Sequence, residues 1–371
     1  MIYLDYNATT PIDKEVADAM IPYLYGNFGN PSSTHELGVK AKNAVEHARI
    51  QVSELLNCLP EEMIFTSGGS ESNNMVIKGV ALTYKNKGNH IITSKIEHPA
   101  VLNPCHYLEK LGYEVSYLPV DEYGLVNPFD VEKLITDKTI LVTIMHSNNE
   151  TGALQPIEEI SKICKKHNIL FHTDASQSMG KVVVDVKSLG VDFLTIAGHK
   201  LYAPKGIGAL YIRKGINIEP LIHGAGHESG KRAGTENIIF DVALGKACEI
   251  SILALENSEI KELTQYFYNS LKEKFGDKIH LNGHLEKRLP NTLNISFLGY
   301  NGHEVLEGLN ETAASTGSAC HSGSTTISPV LKAMGVSDEV GRGAVRFSIG
   351  RHTSKEEIDT VLKNLDKIIV I

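Results

Sequence analysis

From Ile64 to Ile212 short apolar runs alternate with longer amphipathic stretches, and no other feature restricts the fold as strongly. The runs lie at 64–66, about 90–95, 115–119, 139–145, 169–174, 192–196 and 208–212. They are too short for helices and too continuously apolar for half-exposed strands, so they read as buried strands with helices between most of them. That order predicts an α/β fold: a mostly parallel seven-stranded sheet covered by helices, with functional groups at the carboxyl ends of the strands. Polar residues do collect at those ends: His98, Asn148-Asn149-Glu150, Asp174, Gln177 and Lys200. Convergence of that kind on one crevice marks a site.

Before this block the pattern predicts a strand at 2–5, a helix over Lys14 to Leu24, a loop from Gly26 to His35 and a helix over Val39 to Leu56. In the last of these, Val45, Ala48, Val52, Leu55 and Leu56 repeat at three and four. Ser67-Gly68-Gly69-Ser70-Glu71-Ser72 reads as a glycine turn leading into a helix from Asn73 to Tyr84. Residues 238 to 275 are helical in pattern, and then the composition shifts. Runs at 293–297, 304–309 and 344–349 suit a strand, a helix and a strand of a smaller α+β unit. Thr353 to Glu356 fits a capping box for a final helix with Ile358, Val361, Leu362, Leu365 and Ile368 inward. A chain of 371 residues exceeds one ordinary core. The expected division is a large domain over 16–256 and a small one built from 1–15 and 257–371.

A formal charge of -8 with scattered basic residues argues against nucleic-acid binding. No basic leader precedes an apolar segment, and no long uncharged run could span a bilayer, so a cytoplasmic protein without membrane contact is expected. Five cysteines, widely spaced and with no C-x-x-C pair, argue against a disulfide framework or a zinc ribbon. His223 and His227 are separated by glycines that disfavour a helix, so no metal site is expected.

The strand ends then specify chemistry. Asp174 closes one strand, and Gly198-His199-Lys200 follows the next. A lysine can form a Schiff base with an aldehyde, and a buried aspartate can keep a pyridine nitrogen protonated, which suits pyridoxal 5′-phosphate. The turn around Gly68-Gly69-Ser70 suits the phosphate, because a helix N-terminus offers unpaired N–H groups and a positive dipole end. Cys320 lies in Gly317-Ser-Ala-Cys-His-Ser-Gly-Ser324, a polar glycine-rich loop where a packing role is improbable and a reactive thiol is the better reading.

With these in place, the sequence resembles the cysteine desulfurases and selenocysteine lyases, class V aminotransferases of pyridoxal phosphate fold type I. The resemblance rests on Tyr3-Leu-Asp-Tyr-Asn-Ala-Thr-Thr-Pro11, Gly29-Asn-Pro-Ser-Ser-Thr-His35, Phe65-Thr-Ser-Gly-Gly-Ser-Glu71, Glu97-His98, Met145-His-Ser-Asn-Asn-Glu150, His172-Thr-Asp-Ala-Ser-Gln177, Gly198-His-Lys200, Gly234-Thr-Glu-Asn237, Ser318-Ala-Cys320 and Val345-Arg-Phe-Ser. It implies that Lys200 holds the cofactor, Asp174 pairs with the ring nitrogen, Gln177 reaches the ring oxygen and His98 lies on the ring face. Gly69, Ser70 and His199 would hold the phosphate, and Thr235 would reach the phosphate of a neighbouring subunit in a homodimer. Asn149 and Arg346 would clamp the substrate carboxylate. Cys320 would take sulfur as a persulfide for an acceptor protein, with His98 as its base and His321 adjacent to it.

Ala197 stands before Gly-His-Lys where many relatives carry Ser or Thr, which predicts one phosphate hydrogen bond fewer. The loop around Cys320 looks more like selenocysteine lyases and the desulfurases of DNA sulfur modification than like the iron–sulfur type. The substrate expected from the resemblance is therefore L-cysteine, with L-selenocysteine the alternative. A silent scaffold would retain neither Lys200 nor Cys320.

Overall fold

The structure is a computed structural model and describes residues 1–255, 257–316 and 327–369. In chain order its strands are β1 (Ile2–Tyr3), β2 (Met63–Thr66), β3 (His90–Ser94), β4 (Glu114–Leu118), β5 (Thr139–Thr143), β6 (Leu170–Asp174), β7 (Phe193–Ala197), β8 (Gly208–Ile212), β9 (Ile279–Leu281), β10 (Thr292–Phe297), β11 (Thr312–Ala313) and β12 (Ala344–Ser348). Seven of them form the large sheet in the order β2-β8-β7-β6-β5-β3-β4. Strands β4, β3, β5, β6 and β7 are parallel, while β8 runs antiparallel to both of its neighbours. The expected mostly parallel α/β sheet is thus the one observed.

Successive residues point to opposite faces and meet different helices. Phe65, Ile92, Val142, Leu194 and Ala209 pack with Val45 and Val52 of helix Glu36–Leu56 and with Leu244 of helix Ile238–Ala254. Their neighbours Ile64, Ile91, Leu141, Phe193 and Leu210 pack with Val76 and Val101 from helices Gly69–Thr83 and Pro99–Glu109. Burial on both faces explains why these strands read as continuous apolar runs. Each fully buried large side chain adds roughly 1.5–3 kcal/mol, so a polar replacement at Phe193 would be severe.

A second sheet, β12-β10-β9, is antiparallel, and β1 pairs in parallel with β11. Leu4 packs in the same core as Phe267, Phe297, Phe347 and Leu362. The first residues of the chain therefore join its last third, and Asp5 bridges Ser348 before the chain turns toward the large sheet.

Several local expectations shift. The helix expected from Asn73 begins at Gly69, because Gly68 alone, at φ 146°, makes the turn. The segment 238–275 is two helices, Ile238–Ala254 and Glu259–Phe275. The capping box is Ser354 with Glu357, one residue later than expected. Each of these two bonds the other's backbone N–H, at 2.9 and 3.2 Å, and Ile358, Val361, Leu362 and Leu365 still face inward. Among the described residues no helix is long and apolar enough to cross a membrane.

Candidate active site

The carboxyl edge of the parallel strands opens into a cavity of about 400 Å³. Gly69 and Ser70 follow β2, His98 follows β3, Asn149 follows β5, Asp174 ends β6 with Gln177 just beyond it, and His199 and Lys200 follow β7. All of them line it, and Arg346 enters from β12 of the second sheet. Thr235 is exposed and is not among the cavity's lining residues, and Cys320, with His321, lies outside the described residues.

Lys200 sits in the one-turn helix Gly198–Lys200 and donates to the backbone carbonyls of Asn7 at 2.5 Å and Ala8 at 2.7 Å. Burial, followed by repulsion from Arg346, lowers its pKa to about 8. The physical cause is that the cation loses water and gains a like charge. In protein stripped of any bound carbonyl compound, Lys200 is therefore expected to react with an amine-acylating reagent with a midpoint near pH 8, measured by peptide mass against exposed lysines. A midpoint near 10.5 would contradict this environment.

Asp174 is buried, and its two oxygens have separate tasks. Oδ2 accepts from Asn73 Nδ2 at 2.7 Å, and Oδ1 accepts from the backbone N–H of Ser176 at 2.9 Å. Asn73 stands four residues after Gly69 on the same helix, so one turn places the phosphate-type loop and the partner of Asp174 together. The Asn73 Oδ1 is buried without a hydrogen-bond partner among the described residues.

His98 caps helix Pro99–Glu109, with Nδ1 accepting the Ala100 N–H at 3.1 Å. Burial lowers its pKa, and a neutral ring capped this way carries its proton on Nε2. His98 then offers the cavity a donor, and a base role requires it to release Ala100. His199 is also held neutral, its pKa lowered to about 4 by burial and then by Lys200, and its Nδ1 lies 3.2 Å from Thr9 Oγ1.

Arg346 is almost fully buried. It donates from Nη1 to the Asn149 carbonyl at 2.9 Å and from Nη2 to Asp5 Oδ1 at 2.7 Å, while its Nε finds no partner among the described residues. The guanidinium is thus fixed in direction, with donor capacity to spare for a carboxylate.

The donor set fits pyridoxal phosphate. At one end, helix Gly69–Thr83 begins without any side-chain cap, beside Ser70, His199 and Lys200, where an anion is favoured. A side chain on Gly69 would fill this cradle, since an added Cβ would lie 3.0 Å from Ser176 Oγ and 3.3 Å from Ala197 Cβ. At the other end the buried carboxylate of Asp174 suits a protonated ring nitrogen. The sequence alone did not point to Asn7, Ala8, Asn73 or Asp5 as parts of the site. The signals present were the helical spacing of Asn73 from Gly69 and the Tyr3-to-Pro11 motif that holds Asp5, Asn7 and Ala8.

The chain matches the class-V aminotransferase family over residues 2–361. It is 50% identical to the cysteine desulfurase IscS of Dictyoglomus turgidum, with 99% of this chain and 94% of that protein covered. Its identity to the cysteine desulfurase IscS of Methanosarcina thermophila is 48%, with 99% and 92% covered. Among solved structures, a NifS-like protein superposes with a TM-score of 0.93 at 38% identity, over 99% of this chain and 98% of that one. A structure described as SspA in complex with cysteine gives 0.85 at 39% identity, over 95% and 100%. With half its residues shared with relatives of nearly its own length, the chain belongs to the cysteine desulfurases of the class-V aminotransferase family.

Proposed function

We propose that this protein is a pyridoxal phosphate-dependent cysteine desulfurase that converts L-cysteine to L-alanine and takes the sulfur onto Cys320 as a persulfide. The observation that carries this is the convergence of Lys200, Asp174 and Arg346 on one cavity from three different strands. The relatives' shared name favours sulfur over selenium as the substrate atom.

Asp174 would hold the ring nitrogen, Gln177 the ring oxygen and His98 the ring face, with Gly69, Ser70 and His199 on the phosphate and Lys200 on the aldehyde. When bound, the cofactor supplies an electron-withdrawing ring that accepts the electron pair left when the Cα–H bond breaks. Arg346 and Asn149 would hold the substrate carboxylate in the cavity that Lys200 also lines. With a pKa of about 8, Lys200 is partly unprotonated near neutrality and takes the Cα proton on Nζ. Asn73 and the Ser176 N–H hold Asp174 in place as an acceptor.

Cys320 supplies the nucleophile. An ordinary thiol titrates at about 8.5, so a minority is thiolate at neutral pH. The thiolate attacks the substrate sulfur: an S–S bond forms, the substrate C–S bond breaks, and the carbon skeleton leaves as alanine after gaining protons. No external oxidant is needed. The described residues on either side of the Cys320 segment attach beside the substrate clamp. Ser315 and Arg346 exchange backbone hydrogen bonds, and Ser328 Oγ donates to Glu150, next to Asn149.

The same reading assigns residues 16–256 to a cofactor-binding domain and 1–15 with 257–371 to a smaller one, in keeping with the separate cores. It also makes the protein a homodimer. Thr235 is free on the surface to reach a partner's phosphate, and the exposed Tyr25 and Phe28 are available for an apolar contact. A sulfur-acceptor protein would then relieve Cys320.

The test is to supply the purified protein with pyridoxal phosphate and then with L-cysteine or L-selenocysteine in parallel. Cysteine is expected to give one alanine for each sulfur released, faster than selenocysteine gives alanine. No alanine from either substrate would overturn the proposal, and alanine from selenocysteine alone would correct its substrate.

A further inference from the structure

Lys181 has no part in the chemistry above, yet its amine is spent on residues of the site. It stands four residues after Gln177, and Nζ donates to Gln177 Oε1 at 3.0 Å and to Asn7 Oδ1 at 3.1 Å. Gln177 Nε2 in turn donates to the Asn7 backbone carbonyl at 2.9 Å, the same oxygen that receives Lys200 Nζ. On the far side of Lys200, Lys181 also lines a smaller cavity with Tyr202 and Asn291. Burial, then the neighbouring Lys200 and Arg346, pushes its pKa well below the ordinary lysine range. A group that only filled space here would do better as an aliphatic side chain.

An amide has a donor end and an acceptor end of nearly the same shape, so its orientation is set by its partners. A backbone carbonyl can only accept, so Nε2 faces the Asn7 carbonyl, and the Lys181 amine, charged or neutral, presents N–H groups to Oε1. Lys181 therefore holds Oε1 and Asn7 O holds Nε2, leaving the second N–H of Nε2 free for the cavity. Asn7 does not depend on Lys181, because its Nδ2 also donates to Thr292 Oγ1 at 2.8 Å and to the Asn149 carbonyl at 3.3 Å. We propose that Lys181 is a positioning residue that fixes the donor end of the Gln177 amide toward the cofactor's ring oxygen. The proposal rests on the cofactor reading above and adds to it the residue that makes Gln177 a donor.

A donor at the ring oxygen favours its deprotonated form, so losing that donor raises the pH at which the bound cofactor's absorbance titrates. The charged groups that face Lys200 are Arg346, Asp5 and Asp174, and those that face Lys181 are Lys200 and Arg346; all are retained in the variants. Absorbance titrations of the holoprotein are compared for the parent, Lys181→Met, Lys181→Gln, Gln177→Leu and the Lys181→Met/Gln177→Leu pair. The expected result is a rise of about one pH unit for Lys181→Met and a similar rise for Gln177→Leu, with no further rise in the pair. Lys181→Gln, which keeps a neutral N–H donor, is expected to stay near the parent. An unshifted Lys181→Met, or shifts that add in the pair, would overturn the proposal. So would a shifted Lys181→Gln, which would point to charge rather than orientation. If Lys181→Met does not fold, Lys181→Ala replaces it, with the same rise expected and an unshifted titration overturning the proposal. A parent that shows no cofactor absorbance defeats the cofactor reading itself and takes this inference with it; a normal parent with unshifted variants defeats only the inference.

Discussion

Lys200→Ala is expected to lower alanine formation from L-cysteine by roughly 10³-fold or more, within or above the range for removing a positioned acid–base group. The loss should exceed that of a simple base, because the same amine is the attachment point for the cofactor. Two readouts separate these roles. Borohydride treatment should fix the cofactor to the parent at Lys200 and leave the variant unlabelled, as seen by peptide mass. Added small amines should restore part of the proton transfer in the variant without restoring the label. Stability should change little. In the folded chain Lys200 is a part-exposed cation lowered to about pKa 8, bonded among the described residues only to the Asn7 and Ala8 carbonyls. A variant retaining a tenth of the parent's turnover would show that another group takes the proton and that the central assignment is wrong.

Cys320→Ser should be nearly as damaging, but only for one substrate. With L-cysteine, the serine hydroxyl cannot accept sulfur as a persulfide, and turnover should fall roughly 10²- to 10³-fold, as expected for loss of an activated nucleophile. The cofactor spectrum and its change on adding cysteine should persist, since the residues that bind and orient the substrate are untouched. With L-selenocysteine, selenium is the better leaving group and can depart without that thiol, so alanine formation should largely survive. Mass spectrometry of the parent after cysteine should show a gain of one sulfur on the Cys320 peptide. Equal loss on both substrates would mean that Cys320 serves the site's structure rather than the sulfur, and full activity on cysteine would remove it from the mechanism.

These two residues lie at the two extremes of legibility. Lys200 was readable because a strand and its end are local patterns. The apolar run Phe193 to Ala197 and the small residues of Gly198-His199-Lys200 mark a carboxyl edge without reference to anything distant. The same holds for His98, Asn149 and Asp174, each placed by its own strand. For Cys320 the sequence offers only composition, a polar glycine-rich segment that suits a reactive thiol, and that segment lies outside the described residues. Boundaries were less readable. Gly68 shortened the turn that six small and polar residues suggested, and the capping box moved from Thr353 to Ser354 because either register buries the same helix face.

The sequence by itself determined the α/β architecture, the order of residues along the catalytic edge and the chemistry those residue types can perform. Only the tertiary structure decided what each of them touches. The carbonyl that receives Lys200 lies 193 residues away, and the carboxylate that pairs with Arg346 lies 341 residues away. Hydrophobic periodicity repeats over a few residues and so encodes secondary structure, whereas a hydrogen-bond partner brought in by chain crossing leaves no periodic trace. That is why the pattern at Asp5 showed no more than the end of a strand, although in the folded protein the Asp5-to-Ala8 segment ties Lys200, Gln177, Lys181 and Arg346 into one network.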